Sequence, residues 1–252
     1  MTHYVRRLTV SQLLITTTIA ITVAMLCVGN NALAATIVQK VPNVEARSYL
    51  LIDASSGKVL AEKNANESLP PASLTKIMTS FVAATELAAG RVQPTDQVPI
   101  SVKAWRMEGS KMFIREGTKV LFEDLLKGVI IQSGNDASVA IAEHIAGDES
   151  AFADMMNQLA VDIGMTNSNF MNASGLPNEE HYTTARDLAT LTDQLIRRFP
   201  DHYELYSQRS FRFNDIDQPN RNRLLWRDKT VDGVKTGHTN AAGYCLVSKV
   251  MS

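Results

Sequence analysis

Apolar positions along this chain follow two periods, and the switches between them divide it into a strand-rich start, a helical middle and a strand-rich end. Residues 48–53 and 58–63 read as two short strands around a turn at 54–58, a hairpin. Leu74, Ile77, Met78, Phe81 and Val82 then recur at helical spacing behind Pro70 and Pro71. Proline is tolerated at a helix entry and not inside it, so a helix begins close to Ser73 and runs to Ala89. Residues 98–120 have few periodic positions and read as irregular. Further helices are expected at 122–131, 136–146, 152–163 and 184–199, the second capped by Asn135 or Asp136. Residues 167–183 are rich in Asn, Ser, Gly and Pro and read as a loop. Two strands close the chain, 232–238 and 243–250, joined through 239–242. Strands at both ends with helices between imply an α+β fold in which both chain ends share one antiparallel sheet packed on a helical cluster.

Composition narrows the function little. A chain of 252 residues with 45% hydrophobic positions can build one large domain or two small ones. A net charge of -1 gives no reason to expect a nucleic-acid partner or a strongly acidic ligand. The first residues say more. Arg6 and Arg7 precede an uncharged apolar run over 13–28, and Ala32-Leu33-Ala34 has the small-x-small form of a signal-peptidase site. The run is shorter than the roughly 20 residues of a membrane-spanning helix. Leu26 before Cys27 is too large for a lipoprotein signal. Residues 1–34 therefore read as a signal peptide with Ala35 as the mature start, and the protein as exported. Removal of Cys27 leaves Cys245 as the one thiol of the mature chain, with no internal disulfide.

Three short motifs carry candidate chemistry. In Ser73-x-x-Lys76 a helix places a hydroxyl and an amine on one side of its N-terminus, where backbone N–H groups favour negative charge. A nucleophile stands beside a potential base. The pattern alone is weak, since Ser55-x-x-Lys58 repeats it in a turn. Ser133-Gly134-Asn135 could simply join two helices, and Lys235-Thr236-Gly237 could be a strand ending in a glycine bulge. Their order, on a helix start, an interhelical loop and a strand, makes chance agreement improbable. It is the set described for penicillin-binding proteins and class A β-lactamases.

On these motifs, with Asp136-Ala137, Thr184-Ala185-Arg186-Asp187, Asn220-Arg221-Asn222 and Leu224-Leu225-Trp226, the chain resembles the low-molecular-mass D-alanyl-D-alanine carboxypeptidases. These are the penicillin-binding proteins of the type numbered 5 and 6, and the resemblance runs from about Ser48 to Val250. It implies a β-lactamase/transpeptidase-like fold and a serine peptidase that removes the terminal D-alanine of peptidoglycan stem peptides. Ser73 would attack the penultimate D-alanine carbonyl, with Lys76 as its base once burial and the Lys235 cation make it less basic. Ser133 would pass a proton towards the leaving amine. Asn135 would hold the substrate amide or the Lys76 side chain. Lys235 and Thr236 of the Lys-Thr-Gly237 strand would bind the terminal carboxylate, with Arg221. Backbone N–H groups of Ser73 and His238 would form the oxyanion hole. β-Lactams would be covalent inhibitors, and no metal or other cofactor is called for. The location implied is the periplasm, at the outer face of the cytoplasmic membrane.

Two features depart from the family. Arg223 stands where glycine usually follows the Asn-Arg-Asn run. The family also continues with a further strand and helix, a small β-rich domain and an amphipathic membrane anchor. The expectation is thus a catalytic domain over 35–252, shortened at its C-terminus and weakened in stability by a strand missing from the middle of its sheet. Two other functions remain open. A β-lactamase-like hydrolase would need a deacylating carboxylate, which Glu179 and Glu180 match in no recognisable motif. An inactive fragment would act at most as a cell-wall binding module.

Overall fold

The computed structural model describes residues 43–251, and from Glu45 onward they belong to one compact unit. The expected signal peptide, Ala35 and Cys27 lie outside the described residues. Strand β1 (Tyr49–Ile52) pairs antiparallel with β2 (Val59–Lys63). Between them the Asp53 carboxylate accepts hydrogen bonds from the backbone N–H and hydroxyl groups of Ser55 and Ser56, at 2.6–3.0 Å. The second Ser-x-x-Lys copy is therefore an exposed turn.

A single 3₁₀ turn, Ala72–Leu74, leads into α1 (Thr75–Ala88). Ile77, Met78, Phe81 and Val82 have no exposed surface, and almost every side chain of the first two and a half turns is buried. This is a central helix, wrapped by others on all sides. The segment expected to be irregular holds β3 (Gln97–Pro99), the five-residue α2 (Val102–Arg106) and β4 (Lys119–Leu121), with β3 and β4 paired. Three-residue strands carry too little alternation to register as a pattern.

Helix α3 (Phe122–Lys127) runs on into a π-turn at Gly128–Gln132. Helices α4 (Asn135–Ala146), α5 (Glu149–Asp162) and α6 (Ala185–Arg198) follow. Gly134 is the N-cap of α4, in place of the expected Asn135 or Asp136. Asp148 caps α5 by accepting from Ala151 N, and Thr184 caps α6 by accepting from Asp187 N. After the short α7 (Pro200–Tyr203), β5 (Ser210–Phe213) and β6 (Ile216–Pro219) form a hairpin. Asn214 and Asp215, both at positive φ (47° and 61°), make its two-residue turn. Helix α8 (Leu224–Arg227) precedes the long pair β7 (Val231–Thr239) and β8 (Gly243–Val250).

The class is α+β as expected. Among the described residues the strands form four separate two-stranded ladders, and β1–β2 makes no ladder with β7–β8. Both strand pairs pack on the helical part: β1 lies against α6, and β7 against the Ala72–Leu74 turn. That second contact builds the site.

Candidate active site

Ser73 sits in the 3₁₀ turn at the mouth of a cleft of about 1060 Å³, which Ser133, Arg221, Thr236, Gly237 and His238 also line. Ala72, just before it, takes a positive φ of 48°. Its carbonyl packs on Gly175, where any Cβ would fall 1.9 Å from that oxygen, so only glycine lets the 172–175 loop close on the turn. Strand β7 closes from the other side. A Cβ on Gly237 would lie 3.0 Å from Ser73 N, so that glycine sets how near the strand approaches the nucleophile's backbone.

One turn on, Lys76 is 1% exposed, with its Nζ 3.2 Å from Ser73 Oγ. The same nitrogen is 2.7 Å from Asn135 Oδ1 and 2.6 Å from the Ser174 carbonyl. Asn135 Nδ2 donates to the Glu108 carbonyl at 2.6 Å, which fixes the amide so that Oδ1 faces the lysine. Both of these partners can only accept. A neutral amine has two N–H donors and one lone pair. Asn135 and Ser174 take two donors in either protonation state, so the ammonium points its third N–H at Ser73 Oγ and the neutral amine turns its lone pair there. Burial holds the Lys76 pKa well below its ordinary value, and the nearby Lys235 lowers it further, against an opposing pull from Asp136.

Ser133 has the left-handed backbone φ 66°, ψ 35°, uncommon outside glycine, at the end of the π-turn. This turns its hydroxyl to Lys235 Nζ at 2.9 Å. Lys235 is 2% exposed and also donates to the Thr236 carbonyl at 3.1 Å. Burial, then the charge of Arg221, lowers it to about 7. No carboxylate pairs with it among the described residues, which leaves a buried cation in need of an anion. Arg221 is exposed, with Nη2 3.3 Å from Ser110 Oγ. The His238 ring lies on Tyr244 at the surface, 4.3 Å between centroids, so its side chain is turned to the rim.

The three motifs thus converge on one cleft. Sequence reasoning missed the residues that hold them there. Ser174 contributes a backbone carbonyl, from a stretch read only as a loop. The buried Asp136 carboxylate accepts from the N–H groups of Met112, Phe113, Ile114 and Ala137 and ties the 108–114 segment to α4. His181 Nδ1 accepts from Met171 N, so its Nε2–H donates to Thr75 Oγ1 at 2.9 Å and braces the loop on α1. Burial depresses His181 to about 4, and it stays neutral at physiological pH. Among the described residues no group of three or more His, Cys, Asp or Glu side chains is placed to hold a metal ion.

The family described as D-alanyl-D-alanine carboxypeptidase matches residues 35–252. The D-alanyl-D-alanine carboxypeptidase DacC of Escherichia coli K12 is 47% identical over 224 residues, 86% of this chain and 56% of that protein. DacF of Bacillus subtilis, of the same description, is 40% identical over 81% of this chain and 54% of its own length. The chain therefore spans about half the length of the curated relatives it matches. Among solved structures, penicillin-binding protein 5 of Haemophilus influenzae superimposes with a TM-score of 0.83 at 44% identity, covering 85% of this chain and 63% of that one. Penicillin-binding protein D2 of Listeria monocytogenes, in an ampicillin-bound form, gives 0.77 at 26% identity, covering 85% and 87%.

Proposed function

The chain belongs to the D-alanyl-D-alanine carboxypeptidase family, and from that premise we propose that it is a serine-type carboxypeptidase acting on peptidoglycan stem peptides that end in D-Ala-D-Ala. The observation that carries this reading is the hydrogen-bond set of Lys76, whose Nζ is held by two fixed acceptors with Ser73 Oγ as its third neighbour, so that on losing a proton it turns its lone pair to Ser73. Ser73 gives its proton to Lys76 Nζ as Oγ bonds to the penultimate D-alanine carbonyl carbon. The Ser73 and His238 N–H groups receive the developing oxyanion. The C–N bond then breaks, Ser133 relays the proton to the leaving amine, and D-alanine departs. Water cleaves the acyl-enzyme and restores the Ser73 hydroxyl. The terminal carboxylate of the substrate supplies the anion that Lys235 lacks, with Thr236 and Arg221 alongside.

A penicillin would enter by the same acylation and leave slowly. Among the described residues no aspartate or glutamate lines the cleft, and Glu179 and Glu180 are exposed away from it. This weighs against the β-lactamase-like alternative. The site would work in the periplasm, as the leader implies; among the described residues no helix is long and apolar enough to cross a membrane. The test is release of D-alanine from a tripeptide ending in D-Ala-D-Ala, together with peptide mapping of the penicillin adduct. We expect both activities, with the adduct on the peptide containing Ser73. A folded chain that does neither would refute the proposal and favour a cell-wall binding role.

The pH profile gives a further prediction. Lys235 is charged below about 7 and neutral above it, so carboxylate binding weakens and kcat/KM falls as pH rises through that value. Arg221 is one cause of the depression, so Arg221→Gln should raise the Lys235 pKa and move the alkaline limb to higher pH, whatever it does to KM. An unmoved limb would detach Lys235 from it.

A further inference from the structure

We infer that Arg223 and Arg227 form a second anion subsite in this cleft, one that favours substrates whose leaving amino acid carries a side-chain carboxylate. The inference rests on the carboxypeptidase reading and adds to it a substrate class. Its basis is a rigid loop with unmatched charge. Asn220 and Asn222 are buried and pin the segment: Asn220 Nδ2 donates to the Gln208 carbonyl at 2.9 Å, and Asn222 Nδ2 to the Gly233 carbonyl at 3.0 Å. Their side-chain oxygens accept from Asn222 N and Leu224 N within the loop itself. Arg221, Arg223 and Arg227 are thereby held outward, all exposed and all lining the cleft that holds Ser73.

Arg223 is the N-cap of α8 and Arg227 its last residue. Residues four apart lie on one face of a helix, and like charges there repel. Among the described residues neither guanidinium forms an ion pair or donates a side-chain hydrogen bond, and no acidic residue lines the cleft to offset them. Position sets which end of the substrate they serve. Arg221 belongs to the group proposed for the terminal carboxylate, and Arg223 continues the same loop beyond it. The pair therefore extends the cationic wall on the leaving-group side. A D-alanine methyl gives it nothing to bind. A longer acidic side chain would reach it, with its methylenes against Leu224 and the half-exposed Trp226. The reaction is unchanged: the same C–N bond breaks, and a dicarboxylic amino acid leaves in place of D-alanine.

The experiment compares two acylated dipeptides, one ending in D-Ala-D-Ala and one in D-Ala-D-Glu, on the full chain and on Arg223→Gln/Arg227→Gln. Exposed charge pairs are individually weak, so the double variant should lower kcat/KM for the D-Glu peptide about fivefold and leave the D-Ala peptide unchanged. Raising ionic strength from about 0.05 to about 0.5 M should shrink that difference, which a loss of loop structure would not do. An equal fall on both peptides, no fall on either, or no cleavage of the D-Glu peptide by the unaltered chain would overturn the subsite while hydrolysis of D-Ala-D-Ala still stands. If the unaltered chain cleaves neither peptide and takes up no penicillin, the carboxypeptidase reading itself fails and the subsite falls with it.

Discussion

Replacing Ser73 by alanine is expected to abolish penicillin uptake and D-alanine release, and replacing Lys76 by methionine to slow acylation by about 10²–10⁴-fold. The first change removes the hydroxyl proposed to form the acyl bond. The second removes the lone pair 3.2 Å from it and keeps a side chain of similar length in the buried slot. Methionine leaves Asn135 Oδ1 and the Ser174 carbonyl without their donor, which costs stability. It also relieves the burial of an amine beside Lys235, which acts in the other direction. Stability should therefore change much less than rate. The measurement is the rate of fluorescent penicillin attachment, set against the urea midpoint of each variant. A Lys76→Met chain acylated within about tenfold of the unaltered rate would place the base elsewhere. Ser133, held by Lys235, would then be the next candidate.

Why the site was legible and its supports were not follows from where each contact lies in the chain. Ser73 and Lys76 are three apart on one turn, so helical spacing alone brings them together. Lys235 and Ser133 are far apart in sequence and became readable only through resemblance to a family. Ser174 acts through a backbone carbonyl, and no side-chain pattern reports that. Asp136 was noted as a cap for its own helix, yet three of its four partners lie more than twenty residues upstream, at 112–114. Gly175 looked like loop punctuation, although its lack of a Cβ lets the loop rest on the Ala72 carbonyl. The Asn214–Asp215 turn was a missed local signal, since both residues tolerate positive φ and together mark a tight hairpin. The pairing of the strands was not legible for another reason. Alternation predicts strands and not their partners, and here each strand pairs only with its nearest neighbour of suitable direction.

Asp136→Ala is expected to lower folding stability by about 3–5 kcal/mol, a large share of what holds a domain of this size together. The carboxylate is 1% exposed and accepts from four backbone N–H groups, at 2.9 Å for Met112, Phe113 and Ala137 and 3.3 Å for Ile114. Alanine leaves those donors, buried or half-buried, without that acceptor. The 108–114 segment would loosen, taking with it the Glu108 carbonyl that orients Asn135. A fall in the urea midpoint at unchanged slope is the expected result, and a midpoint within error of the unaltered chain would show that water replaces the carboxylate freely. The folded fraction of the variant carries a second test. Asp136 pulls the Lys76 pKa upward, so its loss lowers that pKa further. The acid limb of acylation, where Lys76 becomes protonated, should then move to lower pH. Lower stability with an acid limb that stays in place would make Asp136 a structural tie alone; a shift of both would make it also the group that keeps Lys76 from losing its basicity altogether.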